Sequence, residues 1–205
     1  QPWSPTPSTT ADAPGAPSVV TFDTTGMLSP NLIVVNAAAN SRAVASYSFL
    51  IATDEAMTQV VATGTNVVPG INDSTTWSLP FELEHQAVYW WSAKAVDAEG
   101  FAGPLPTAAS FLVDTTYKST SISLSQFAAT GNRRAVRVAW EVASGDAVGF
   151  HVERGVPDGE FTRLTRDPLA GRSAYEYLDM SVVAGREYEY RLVALRSSGG
   201  TQVFG

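Results

Sequence analysis

The chain has 205 residues, a hydrophobic fraction of 44% and a formal net charge of −7. That length allows one large domain or two ordinary ones with packed cores. Cysteine is absent and there are only two histidines, His85 and His151, far apart in sequence. This excludes disulfides, thiol catalysis and Cys-type zinc sites, and argues against a His-rich metal centre or a Ser-His-Asp triad. No run of eighteen apolar residues occurs, so no membrane insertion is expected.

The charge is uneven. Residues 1–116 carry two cations against ten acids, a balance of −8; residues 117–205 carry eleven cations against ten acids, a balance of +1. The acidic half argues against nucleic acid as a partner. It reads first as a solvated surface, with head-to-tail attraction between unlike halves as the sharper alternative.

In chain order, residues 1–17 form a Pro/Ser/Thr-rich tract with five prolines. Such a segment favours extended polyproline conformations and buries no core of its own, so it reads as a tail or linker. Trp3 within it is a costly side chain to leave in water and is a candidate partner contact.

From Ser18 the text changes to short β-runs separated by turn residues. Strands are expected at Ser18–Phe22, Asn31–Asn36, Ala45–Ala52, Gln59–Thr63, Thr75–Leu79, Tyr89–Val96 and Ala109–Val113. Tyr47, Phe49 and Ile51 share one face at period two; so do Tyr89, Trp91, Ala93 and Ala95, which leaves Trp90, Ser92 and Lys94 on the other. A single helical turn fits Asp54 to Val61. A second set follows at Ser121–Phe127, Ala135–Trp140, Val148–Val152, Phe161–Leu164, Tyr175–Leu178, Glu187–Arg196 and Thr201–Gly205. Here Val148, Phe150 and Val152 face one way and His151 and Glu153 the other. Seven strands per hundred residues is the count of an immunoglobulin-like sandwich.

One pattern recurs. Leu83 precedes Tyr89 by six residues, and Val182 precedes Tyr188 by the same six. With the runs Tyr89-Trp90-Trp91-Ser92-Ala93-Lys94-Ala95-Val96-Asp97-Ala98-Glu99-Gly100 and Gly185-Arg186-Glu187-Tyr188-Glu189-Tyr190-Arg191-Leu192, both halves resemble fibronectin type III modules. Trp77 and Phe111-Leu112-Val113-Asp114 add to this in the first half. Trp140, Gly149-Phe150-His151-Val152-Glu153-Arg154 and Tyr175-Glu176-Tyr177-Leu178-Asp179 add to it in the second, in the style of a bacterial secreted subtype. The first half departs from the pattern by having Leu32, Val34 and Asn36 where a second-strand Trp is expected. The resemblance implies an all-β fold of two tandem β-sandwiches, at 18–116 and 117–205, after a Pro-rich tail. It also implies a tyrosine corner in each, formed by Leu83 with Tyr89 and Val182 with Tyr188, in which the Tyr hydroxyl bonds a backbone group upstream. The motifs that carry it are structural.

Candidates for chemistry are few. Glu82 and Glu84 flank Leu83 without a catalytic setting. Asp97 and Glu99 share a turn and are weak calcium candidates, since calcium wants six to eight converging oxygens at ~2.3–2.6 Å. Arg133, Arg134 and Arg137, and Arg163, Arg166 and Arg172, read as strand and loop surface paired with acids. Trp90, facing away from the core, is a candidate for contact with protein or glycan. The last strand is shorter than the family's, which leaves strand addition by another chain as an alternative to a simple end. No cofactor is implied. The expectation is a non-catalytic extracellular or cell-surface structural or adhesive module for spacing, display and protein–protein contact, with a subunit of a surface assembly or filament as one form of it, and with other protein modules or further copies of itself as partners. An accessory glycan-binding module of a secreted carbohydrate-active enzyme is the alternative.

Overall fold

The structure, a computed structural model, describes residues 13–38, 43–118, 120–132 and 134–205. Trp3 and most of the Pro-rich tract therefore lie outside the described residues, as do Arg42 and Arg133. All described elements are strands, in four sheets.

The first sandwich pairs a three-stranded sheet, β1 (Ser18–Val19), β3 (Asn31–Val35) and β6 (Ser74–Ser78), with a five-stranded one. The latter runs in the order β2 (Thr24–Thr25), β8 (Ala109–Val113), β7 (Val88–Val96), β4 (Ser46–Ala52), β5 (Val60–Val67). The expected strand at Ser18–Phe22 is split. Val20 still donates to the Ile33 carbonyl; then the chain crosses the sandwich, and β2 adds to β8 in parallel. The Asp54–Val61 stretch forms no helix. Met57 N–H closes a turn on the Asp54 carbonyl, and the Asp54 carboxylate accepts from Thr58 and Gln59 N–H. This local capping draws the carboxylate into a turn at the expense of a helical ladder.

The second sandwich has β9 (Ser123–Gly131), β10 (Val136–Ser144) and β13 (Ala174–Asp179) in one sheet, ordered β13-β10-β9. The other sheet is ordered β12-β11-β14-β15, from β11 (Ala147–Gly155), β12 (Thr162–Arg163), β14 (Glu189–Arg196) and β15 (Thr201–Phe204).

Period-two alternation builds both cores. Tyr47, Phe49, Ile51, Trp91, Ala93 and Phe111 are buried in the first. Trp140 lies stacked on Tyr175, with ring centroids 5.1 Å apart, in the second. Full burial of side chains this size contributes about 1.5–3 kcal/mol each.

The two sandwiches lie face to face. On β3, Leu32 and Val34 point into the first core, so Ile33 and Val35 point outward; yet Ile33 is only 2% exposed. It packs with Val20 and Val35 against Ala170 of the second sandwich. Across the contact, β11 and β14 turn His151 and Val193 outward, and both are buried. The two inner sheets, β1-β3-β6 and β12-β11-β14-β15, are therefore each covered on both faces over these residues.

Candidate functional site

The inter-module contact holds most of the polar chemistry that the sequence left unplaced. Thr25 Oγ1 donates to the Ser197 carbonyl at 2.7 Å, Asn72 Nδ2 donates to the Asp167 carbonyl at 3.0 Å, and Ser74 Oγ donates to the Pro168 carbonyl. Arg172 pairs with Asp73 at 3.5 Å on the solvent side. Glycines on both sides permit the approach. Gly171 has φ +72°, and a Cβ there would sit 2.5 Å from Val35 Cγ2. A Cβ on Gly26 would lie 2.7 Å from the Ser198 carbonyl oxygen.

Several clefts open along this seam, and two of them lie between the inner sheets. One, of about 190 Å³, is lined by Phe22, Met27, Ile33, Val148 and Leu195 among others. The other, of about 300 Å³, is more polar and brings Asn31, Thr76 and Ser78 opposite His151, Arg166 and Asp167. His151, expected on the outer face of its strand, is on that face but is covered by the docked module. Its Nδ1 lies 3.0 Å from Thr165 Oγ1, which accepts the Val152 N–H at 3.1 Å. Burial lowers the His151 pKa, and the Arg163 guanidinium adds to this against the opposing pull of Glu153 and Asp167. Asp167 Oδ2 and Thr76 Oγ1 are buried without a hydrogen-bond partner. No group of three His, Asp or Glu side chains capable of holding a metal forms among the described residues.

A second polar cluster lies at the far end of the second sandwich. Asp179, 2% exposed, accepts from Arg154 at 2.7 Å and Tyr190 at 2.9 Å through Oδ2, and from Ser181 N–H and Oγ through Oδ1. Burial pushes its carboxyl up, but the Ser181, Tyr190 and Arg154 hydrogen bonds outweigh that and the pKa is lowered. Burial and the bond to Asp179 raise the Tyr190 hydroxyl in turn. Arg154 also lies over the Tyr188 ring, 4.8 Å from its centroid.

The other sequence candidates fall as follows. Tyr89 hydroxyl accepts the Glu84 N–H, and Tyr188 hydroxyl accepts the Val183 N–H, each at 3.1 Å. In both cases the donor is the residue after Leu83 or Val182. Asp97 is buried, and its Oδ1 accepts from Glu99 and Phe101 N–H at 2.9 Å, which ties it to its own turn. Trp90 is half-buried, in cross-strand register with Ala52 and Ser110. Its neighbour Ser92, expected on the same outward face, is fully buried because its hydroxyl donates to the Pro106 carbonyl at 2.9 Å. A loop thus covers part of that sheet. Three of the described basic candidates pair with different acids. Arg137 pairs with Glu176 at 2.6 Å, while Arg163 faces Glu153 and Arg172 faces Asp73.

The inter-module residues were missed because no motif marks them. One signal was present: Leu32-Ile33-Val34-Val35 is apolar at every position, as in a strand buried on both faces. His151 carried no such signal.

No protein-family model matches the chain, and no curated protein is significantly similar to it. Similar solved structures include the first three fibronectin domains of chicken CNTN1, at 12% identity and a TM-score of 0.32, covering 95% of this chain and 68% of that one. The α-L-rhamnosidase of Streptomyces avermitilis, complexed with L-rhamnose, is 17% identical with a TM-score of 0.38, covering 94% of this chain. The α-L-rhamnosidase of Dictyoglumus thermophilum is 11% identical with a TM-score of 0.41, covering 95%. This chain spans 24% and 29% of the two rhamnosidase chains.

Proposed function

We propose that the chain is a non-catalytic, extracellular structural or adhesive unit of bacterial fibronectin type III character, acting in display and protein–protein contact within a surface assembly. The observation that carries this reading is the docking of the two sandwiches through Ile33, Val20 and Ala170 and the hydrogen bonds around them. A docked pair of modules is suited to holding a surface at a fixed geometry, whereas a flexible spacer would leave these faces polar and wet. The use of the buried ionisable groups also supports the reading. Asp97 caps a turn, Glu153 bridges Arg163 and Arg191, and Asp179 holds Arg154, Tyr190 and Ser181. In each, the carboxylate binds its own fold, as structural polar groups do. No helix is long and apolar enough to cross a membrane among the described residues.

The test is immunogold labelling of intact native cells, with and without the gene. Surface label that vanishes with the gene, together with loss of a surface layer, filament or adhesion phenotype, is expected. Label confined to the cytoplasm would overturn the reading. Saturable glycan binding abolished by Trp90→Ala would replace it with the carbohydrate-binding alternative.

A further inference from the structure

The two sandwiches treat their first strands differently. In the first, β1 is two residues long, follows Pro17, and hands over to β2, which adds to the opposite sheet. A short, proline-flanked edge offers little to an incoming strand. In the second, β9 runs nine residues, Ser123–Gly131, as the outer strand of its sheet, and it contains neither Pro nor charge. The charge-free run extends from 119 to 132. Gln202 fills the backbone bonds just before β9, donating to the Ile122 carbonyl and accepting the Ile122 N–H. From there on, the described residues show β9 paired with β10 alone.

Edge strands in soluble proteins are usually blunted by Lys, Pro, bulges or brevity. Strand β5, the other long charge-free edge, is bulged: its pairing with β4 shifts register twice. The pairing of β9 with β10 also shifts register twice, but both shifts fall within Ser123–Gln126. From Phe127 to Gly131 β9 pairs with Trp140–Val136 without a break. These five residues present a regular edge, half-buried at Phe127 and exposed at Ala128, Ala129, Thr130 and Gly131.

We propose that this edge is a self-association site, at which β9 of a second copy of the chain adds antiparallel about a two-fold axis near Ala129. Three observations favour a second copy as the occupant. In that register Phe127 of each copy lies opposite Gly131 of the other, and a cross-strand aromatic compensates for the side chain that an edge glycine lacks. Ala128 lies opposite Thr130, and no charged side chain lies within Phe127–Gly131 to meet its like. The charge asymmetry also favours this arrangement. The second modules, with their balance of +1, meet without strong net-charge repulsion. Pairing generates an isologous interface and joins two three-stranded sheets into one of six. The inference is independent of the extracellular role proposed above.

Sedimentation velocity over a concentration series tests it. The 21.8 kDa chain is expected to shift to twice that mass as concentration rises. The double variant Ala128→Lys/Thr130→Lys, whose side chains lie outside the core, is expected to stay at the mass of one chain throughout. Val61→Lys on β5 should leave the shift unchanged. In the wild type, amides of Phe127–Gly131 should gain hydrogen-exchange protection with concentration, a readout that needs no variant. A wild type that remains one chain at all concentrations overturns the proposal. So does a doubling that survives the two lysines or is lost in Val61→Lys, or a β9 whose exchange does not depend on concentration.

Discussion

The two sandwiches place their central aromatic on opposite partners of the same strand pair. In the first, β3 and β6 set Leu32 opposite Trp77; in the second, β10 and β13 set Trp140 opposite Tyr175. Trp77 is only half-buried. It reaches over Phe49, 5.7 Å away, and occupies the space that a side chain on Gly64 of β5 would fill. Trp140 is 1% exposed and stacks between neighbouring strands, its Nε1 without a hydrogen-bond partner. Either strand can supply the ring that plugs this part of a sandwich, provided the partner positions shrink or flatten to admit it. The departure of the first half from the second-strand tryptophan pattern is therefore a relocation of the ring.

The second difference is polar. The first core joins fourteen buried apolar residues, the second only nine, and the second adds the Arg154–Asp179–Tyr190 cluster at its end. The smaller core leaves the second module more dependent on that network and on the docked first module.

These contrasts yield graded predictions. Trp140→Ala is expected to destabilise the second module by about 3–5 kcal/mol, against about 1.5–3 kcal/mol for Trp77→Ala in the first, both read from urea unfolding. Equal effects would erase the distinction drawn between them. Asp179→Ala should cost a similar ~3–5 kcal/mol, because it strands a largely buried guanidinium and the Tyr190 hydroxyl. The same carboxyl gives an acid limb. Its folded pKa is lowered, so its contribution is present above the unfolded value of ~3.9 and is lost as pH falls through the folded value. An Asp179→Asn variant should show a flatter stability profile in that range. His151 acts at higher pH. Its folded pKa is lowered, so the unfolded chain binds the proton first and stability declines as pH drops below ~6.5. His151→Gln should remove that decline, and a decline that persists would place its origin elsewhere. Smallest of all, Tyr89→Phe and Tyr188→Phe each remove one hydroxyl acceptor and should cost about 1 kcal/mol, with Glu84 or Val183 N–H exchanging faster.

Much of the architecture was legible because period-two alternation is a local signal. Tyr47, Phe49 and Ile51, read as one face, are all fully buried, and the strand expected at Ala109–Val113 has those bounds. Other boundaries were less readable. The strand expected to end at Thr63 runs on to Val67 through Gly64 and Asn66, residues that usually stop strands; Asn66 has φ +56° and sits where the register with β4 shifts. The inter-module site was the least legible. It joins residues from β3 and β6 to residues more than ninety positions later, such as Ser74 to Pro168, and no spacing rule reaches across that separation. Ser92 failed for a related reason: alternation gives the face of a residue, and a loop from elsewhere decides whether that face is wet.

The central claim is that the two sandwiches form one docked block. Because the chain has no cysteine, spin labels at Val61→Cys and Met180→Cys, both exposed and on different modules, report a single distance by double electron–electron resonance. The docked arrangement predicts one narrow distribution, which broadens when Gly171→Ala places a methyl group against Val35. A broad distribution in the otherwise unaltered chain would contradict it.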